Sequence, residues 1–319
     1  MMKGQNRFFL GILLLLALSC GPKKAKGPAA VPTRDFPVPE VPMMITDVSE
    51  RMAWIGQHYW DLFTRPDSLY YCDSLTINGV PKKNLEQQMG IFATLVNQLP
   101  LPDGIRSMGL FYDRLEAFQR AQPSGNLFSE TVTLTSFYFY DPNSPLRNED
   151  LYLPFVSRLA ESAFVSEDFR PGYRWDARMC ALNRTGTPAA DFVFIDTAGK
   201  RRSLYSIRAE RTLLIFGNPD CEACRDLQEE MESYPEISAQ IADGSLQVVD
   251  IYIDEDIEVW KARIAAYPPQ WINGYDPGFT IRQDLIYNVR AVPSLYLLDA
   301  KKTVLLKDAT PERVLDALL

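Results

Sequence analysis

The apolar run Leu213-Leu214-Ile215-Phe216 stops at Gly217-Asn218-Pro219-Asp220, and Cys221-Glu222-Ala223-Cys224 follows at once. A short apolar run bounded by turn residues reads as a buried central strand. Residues 221–233 then read as a helix whose first turn holds both cysteines. The flanks supply the rest of a sheet. Residues 192–196 and 247–253 read as strands, 203–207 as a partner of the first, and 257–267 as a helix. A hairpin over 295–298 and 304–306 precedes a final helix that starts at Pro311. Alternation of this kind predicts an α/β fold with a central mixed sheet flanked by helices.

The cysteine spacing carries chemistry. A thiol at a helix N-terminus sits at the positive end of the macrodipole beside free backbone N–H groups, which favours its thiolate. The second thiol, one turn further in, can attack a mixed disulfide while staying shielded from outside thiols. Cys221 is therefore the candidate attacking sulfur and Cys224 the resolving one. A zinc half-site would need two more ligands, and the chain's single histidine, His58, lies far upstream. A peroxidase of the peroxiredoxin type would carry threonine where Asn218 stands.

The strand, the C-x-x-C and the downstream Arg290-Ala291-Val292-Pro293-Ser294 together resemble the TlpA/ResA-like branch of the thioredoxin superfamily, over residues from about 189 to the C-terminus. The resemblance implies a cis-proline, Pro293, facing the cysteine pair, with Val292 offering backbone groups to an extended client. It also implies that the stretch 254–284, with Trp260, Pro268, Pro269 and Trp271, is the insertion typical of that branch. Dithiol–disulfide exchange with protein clients follows from the resemblance, and it requires no organic cofactor and no metal. Two departures matter. Ile215 occupies the place of a buried aspartate, leaving Asp254 as a weak substitute proton acceptor. Asp220 replaces the tryptophan before the first cysteine, and with Glu222 it opposes the thiolate that Arg225 favours.

Residues 43–185 read as a mainly helical domain. Asp47 and Glu50 form a capping signal ahead of Val48, Met52, Ile55, Tyr59 and Leu62 at helical spacing. Helices are predicted over 82–99, 104–122 and 151–164, and the β-branched, aromatic stretch 131–140 reads as a strand. The segments Ile45-Thr46-Asp47, Ser49-Glu50-Arg51-Met52 and His58-Tyr59-Trp60-Asp61 resemble a domain of unknown function that recurs ahead of thioredoxin-like domains in lipoproteins of anaerobic Gram-negative bacteria. No catalytic constellation is visible in it, and positioning clients near the cysteine pair is the role expected of it.

The N-terminus points to export. Lys3 and Arg7 precede an apolar run from Phe8 to Leu18, shorter than the roughly twenty residues of a relaxed bilayer crossing. Ala17-Leu18-Ser19-Cys20 resembles a bacterial lipobox, which makes residues 1–20 a lipoprotein signal and Cys20 the lipidated residue. Residues 21–42, rich in proline and lysine, read as an extended tether, and residues 186–319 are the thioredoxin-like domain that the resemblance implies. A cell-envelope location, on the periplasmic face of a membrane or the cell surface, follows. A reductase placed there would draw electrons from a transmembrane donor. The net charge of −8 argues against a nucleic-acid partner. Of five cysteines, Cys72 and Cys180 are left over, either paired with each other or buried as small apolar side chains. The rival to an oxidoreductase is a binding lipoprotein that keeps the fold as a scaffold.

Overall fold

The computed structural model describes residues 33–65 and 70–319. The expected signal segment, Cys20 and the first half of the Pro-rich stretch lie outside the described residues.

Among the described residues, six helices build the N-terminal domain. Helix α1 (Val48–His58) begins where expected, with the Asp47 carboxylate accepting the Glu50 N–H at 2.9 Å. A small hairpin of β1 (Thr76–Ile77) and β2 (Val80–Pro81) follows, turned by Asn78 and Gly79, both at positive φ. Helices α2 (Lys82–Gln98) and α3 (Leu101–Ala121) bury Leu85, Met89, Phe92 and Val96, and Met108, Phe111, Leu115 and Phe118. These are the faces that the apolar spacing predicts. From Arg34 onward the Pro-rich stretch rests on this domain: the Arg34 N–H donates to the Gly79 carbonyl, and Phe36 packs into the core.

The strand expected over 131–140 is instead part of helix α4 (Leu127–Phe139). β-Branched residues usually argue for a strand, yet the hydroxyls of Thr131 and Thr135 donate to the carbonyls of Leu127 and Thr131, at 2.7 and 2.6 Å. With those polar groups satisfied inside the helix, Thr131 and Thr135 join Leu127, Phe128, Val132 and Leu134 on its buried surface. Helices α5 (Glu149–Leu159) and α6 (Arg170–Cys180) complete the domain; α6 has no counterpart in the sequence reading.

The C-terminal domain starts with β3 (Val193–Asp196) and β4 (Arg201–Ser203), then β5 (Arg211–Gly217), α7 (Glu222–Ser233), α8 (Pro235–Asp243) and β6 (Leu246–Tyr252). Helix α9 (Ile257–Arg263), β7 (Ile272–Tyr275) and a single turn, α10 (Thr280–Gln283), lie in the 254–284 stretch. The hairpin β8 (Ser294–Asp299) and β9 (Val304–Ala309) leads into α11 (Pro311–Leu318). The sheet runs β4-β3-β7-β6-β5-β8-β9, with β5 parallel to β6 and antiparallel to β8. Strand β7 pairs between β6 and β3, so the inserted stretch widens the sheet itself. One face packs Phe194, Phe216, Tyr287 and Tyr296; the other packs Leu213, Ile215, Leu227, Met231 and Trp271 beneath α7.

The helical core and the two sheet-face cores are separate apolar clusters. Where the N-terminal end of α5 meets β9, the contact is ionic. Glu149 and Lys307, whose side chains are each 1% exposed, pair at 2.9 Å, and Lys307 also donates to the Cys180 carbonyl. Arg147 donates to the carbonyls of Asp308 and Ala309 at 3.2 and 3.1 Å.

Candidate redox site

Strand β5 delivers the chain to the top of the sheet, the loop 218–220 turns it, and Cys221 caps α7. The Cys221 Sγ accepts the Cys224 backbone N–H at 3.2 Å, and its thiol donates to the Val292 carbonyl at 3.5 Å. A helix N-terminus gathers unpaired N–H groups and positive potential. Negative charge that develops on this sulfur during exchange therefore meets a donor already in place. Val292 is joined to Pro293 by a cis peptide bond. The fold thus brings Cys221, Cys224, Val292 and Pro293 together from opposite ends of the domain.

Both thiols are free and half-buried. Burial pushes the Cys224 thiol well above the ordinary range, and its hydrogen bond with Cys221 and the charge of Asp250 add to the rise. A resolving cysteine so placed needs a base, and Asp250 is the buried carboxyl whose charge reaches it. It lies on β6 directly opposite Ile215 in the parallel register, on the sheet face that α7 covers. The acid is therefore present one strand away from the position where the resemblance looks for it. Only 6% of Asp250 is exposed, and burial raises its carboxyl from 3.8 to about 7. Gly217 makes room for it: a Cβ there would fall 2.8 Å from Asp250 Oδ1. Tyr267, from the inserted stretch, completes the group; burial first, then the charges of Asp250, Cys224 and Cys221, raise its phenol.

Asp254 does not serve as the buried acceptor. It accepts from the Asn218 amide at 2.5 Å and pairs with Arg282, and it is partly open to solvent. Asp220 has its own counter-charge in Arg263 at 3.4 Å. The signal that could have identified Asp250 is its interruption of Val248-Val249-Asp250-Ile251, an acid inside an otherwise apolar buried strand. A cleft of about 500 Å³ opens beside Cys224, walled by Asn218, Pro219, Arg225 and Tyr267.

The leftover cysteines do not pair with each other. Cys72 accepts the Asn78 N–H at 3.2 Å within the helical domain, and Cys180 is buried at the domain boundary. His58 stacks on Trp54 and bonds Asp61 at 2.6 Å, both contacts within the helical domain.

Comparison with known proteins fits this geometry. Residues 19–174 match a domain of unknown function, DUF5106, and residues 200–319 match a thioredoxin-like domain. A thioredoxin-like protein from Bacteroides caccae ATCC 43185 superposes with a TM-score of 0.77 at 32% identity, over 89% of this chain and 98% of its own. The chain belongs to the thioredoxin-like proteins. The C-terminal domain of an uncharacterized protein from Bacteroides fragilis NCTC 9343 is 42% identical over 43% of this chain and 97% of its own, with a TM-score of 0.41. A domain described as that of a possible thiol-disulfide isomerase, from Cytophaga hutchinsonii ATCC 33406, is 25% identical over 43% of this chain and 92% of its own, with a TM-score of 0.35. No curated protein matches. The thioredoxin-like domain, with its C-x-x-C pair at a helix N-terminus, supports a function of the redox type.

Proposed function

We propose that this thioredoxin-like protein is an exported, lipid-anchored thiol–disulfide oxidoreductase acting on protein clients. The observation that carries the reading is Cys221 itself. It caps α7, receives the Cys224 N–H and faces the Val292 carbonyl beside Pro293. In the reducing direction the Cys221 thiolate attacks one sulfur of a client disulfide. The client S–S bond breaks, a Cys221–client disulfide forms, and the first client thiolate leaves. The Asp250 carboxylate then takes the Cys224 proton, and the new thiolate attacks the Cys221 sulfur. The second client sulfur departs as a thiolate and takes the proton that Asp250 holds, the first having taken one from solvent; the client has gained a pair of electrons, and Cys221 and Cys224 share a disulfide. A dithiol donor in the membrane restores the pair. With its carboxyl near 7, Asp250 is partly ionised at neutral pH and can accept that proton. Val292 and Pro293 form the wall along which an extended client lies, and Cys20 carries the lipid.

The test is to measure the reduction potential of the pair, with Cys224→Ala as a trap for mixed disulfides. A potential near roughly −270 mV with clients captured on Cys221 supports a reductase, and one near roughly −120 mV supports an oxidant. A pair that neither cycles nor captures a partner removes the proposal. Incorporation of labelled palmitate that is lost in Cys20→Ala tests the anchor.

A further inference from the structure

The segment that carries Val292 and Pro293 is held from outside its own domain. Glu149, in the first turn of α5 in the helical domain, accepts from the Asn288 amide and from Arg290 Nε at 3.1 Å. The same guanidinium reaches Asp308 on β9 through Nη2 at 3.0 Å and lies 4.1 Å over the ring of Tyr140, another helical-domain residue. Asp308 in turn accepts from the Ser294 hydroxyl at 2.7 Å, immediately after Pro293. Both ends of the 288–294 segment are therefore tied to one buried cluster, and its middle presents the Val292 carbonyl to the Cys221 thiol.

We infer that Glu149 is a positioning residue of the client groove, so that the DUF5106 domain forms part of the active-site frame through Arg290. The inference rests on the proposed dithiol exchange, in which Val292 and Pro293 meet the client. Physical reasoning separates this role from simple stabilisation. Lys307 also pairs with Glu149, but it sits on β9 and its hydrogen bond goes to the Cys180 carbonyl in the helical domain. Arg290 is the link that turns an interdomain ion pair into a fixed loop. A planar guanidinium can bond two carboxylates and stack on a ring at once, which an ammonium cannot.

Two variants of the full chain test this, Glu149→Gln and Arg290→Lys, with Glu149→Asp as the conservative counterpart of the first. Amide hydrogen exchange over residues 288–294 is read first, because it needs no activity. Exchange there is expected to rise about tenfold more in both variants than at the β5 and β6 amides, whose own change reports the global loss of stability. Turnover of a disulfide-bonded peptide is read next. Its KM is expected to rise by about tenfold, while alkylation of Cys221 by iodoacetamide keeps its rate within about twofold. Glu149→Asp should recover part of both effects. Unchanged loop exchange in the folded variants overturns the inference whatever the activity. Loosened loops with an unchanged KM also overturn it. If the unaltered protein turns over no disulfide, the proposed function fails, and loop exchange alone still decides whether Glu149 positions the segment.

Discussion

Replacing Asp250 with asparagine isolates the strongest electrostatic feature of the site. The carboxyl is buried beside α7, and burial raises it from 3.8 to about 7. In the unfolded chain it ionises near 3.8, while in the folded protein it holds its proton until about 7. Between those values the folded state binds more protons than the unfolded state, so stability falls as pH rises. The loss begins above 3.8 and is complete beyond about 7. At about 1.4 kcal/mol for each tenfold change in proton affinity, it amounts to roughly 4 kcal/mol. Asparagine has a similar shape and never ionises, so Asp250→Asn lacks this slope. Urea unfolding of both reduced proteins from about pH 4 to about pH 8 is the assay. The variant is expected to gain roughly 4 kcal/mol on the parent across that range. A stability difference that stays flat with pH would refute the reasoning, because it would mean that Asp250 is ionised in the folded protein throughout. The same variant should resolve mixed disulfides roughly a hundredfold more slowly, having lost the acceptor for the Cys224 proton. Stability gained and function lost by one substitution is the signature of a buried catalytic acid.

Other substitutions probe the frame around the site. Gly217→Ala pushes a methyl to within 2.8 Å of Asp250 Oδ1; a loss of about 1–3 kcal/mol is expected by urea unfolding, as for an overpacked core. Lys307→Met leaves Glu149 with one cation fewer in a dry boundary, and about 3–5 kcal/mol should disappear from the unfolding free energy. Asp47→Ala removes the cap of α1 and should cost about 1 kcal/mol, with no effect on Cys221 alkylation.

The parts of this protein that could be read from its residues are those where local chemistry and tertiary demand coincide. The run 213–216 is apolar because β5 is buried on both faces, and Cys221 and Cys224 announce themselves by spacing alone. The α2 and α3 faces were legible for the same reason, since one stripe of large apolar residues meets one core. Helix α4 is hard to read from sequence because Thr131, Val132 and Thr135 favour strands intrinsically, and only the completed helix offers the two threonine hydroxyls a carbonyl four residues back. Strand β7 was missed because Ile272-Asn273-Gly274-Tyr275 shows no alternation; Gly274 is needed there for close approach, since a Cβ would meet Phe194 at 2.6 Å. Asp250 was missed for a different reason. A search at the family's position looks along β5, whereas the space above Gly217 is equally open to a side chain from β6. Register is a property of pairing, and no single stretch of sequence carries it.

The ionic domain boundary bears on how the role of the helical domain can be established. Deleting that domain is the obvious way to ask whether it selects clients, but the cut would remove Glu149, Tyr140 and Arg147 together. Arg290 and Lys307 would lose their shared carboxylate, and the carbonyls of Asp308 and Ala309 would lose the Arg147 guanidinium. Such a truncation therefore perturbs the groove directly, and altered client preference in it would not distinguish recruitment from a loosened 288–294 segment. Substitutions at exposed positions of the helical domain make the distinction, since Phe137 and Phe169 are open to solvent and make none of the bonds of the Glu149 cluster. If the domain recruits clients through its own surface, changing those residues should alter client choice while leaving peptide KM and loop exchange untouched. If its contribution is the frame alone, changing Glu149, Tyr140 and Arg147 together should reproduce the kinetic consequence of the whole deletion. A difference between that combined variant and the deletion then measures what the rest of the domain adds.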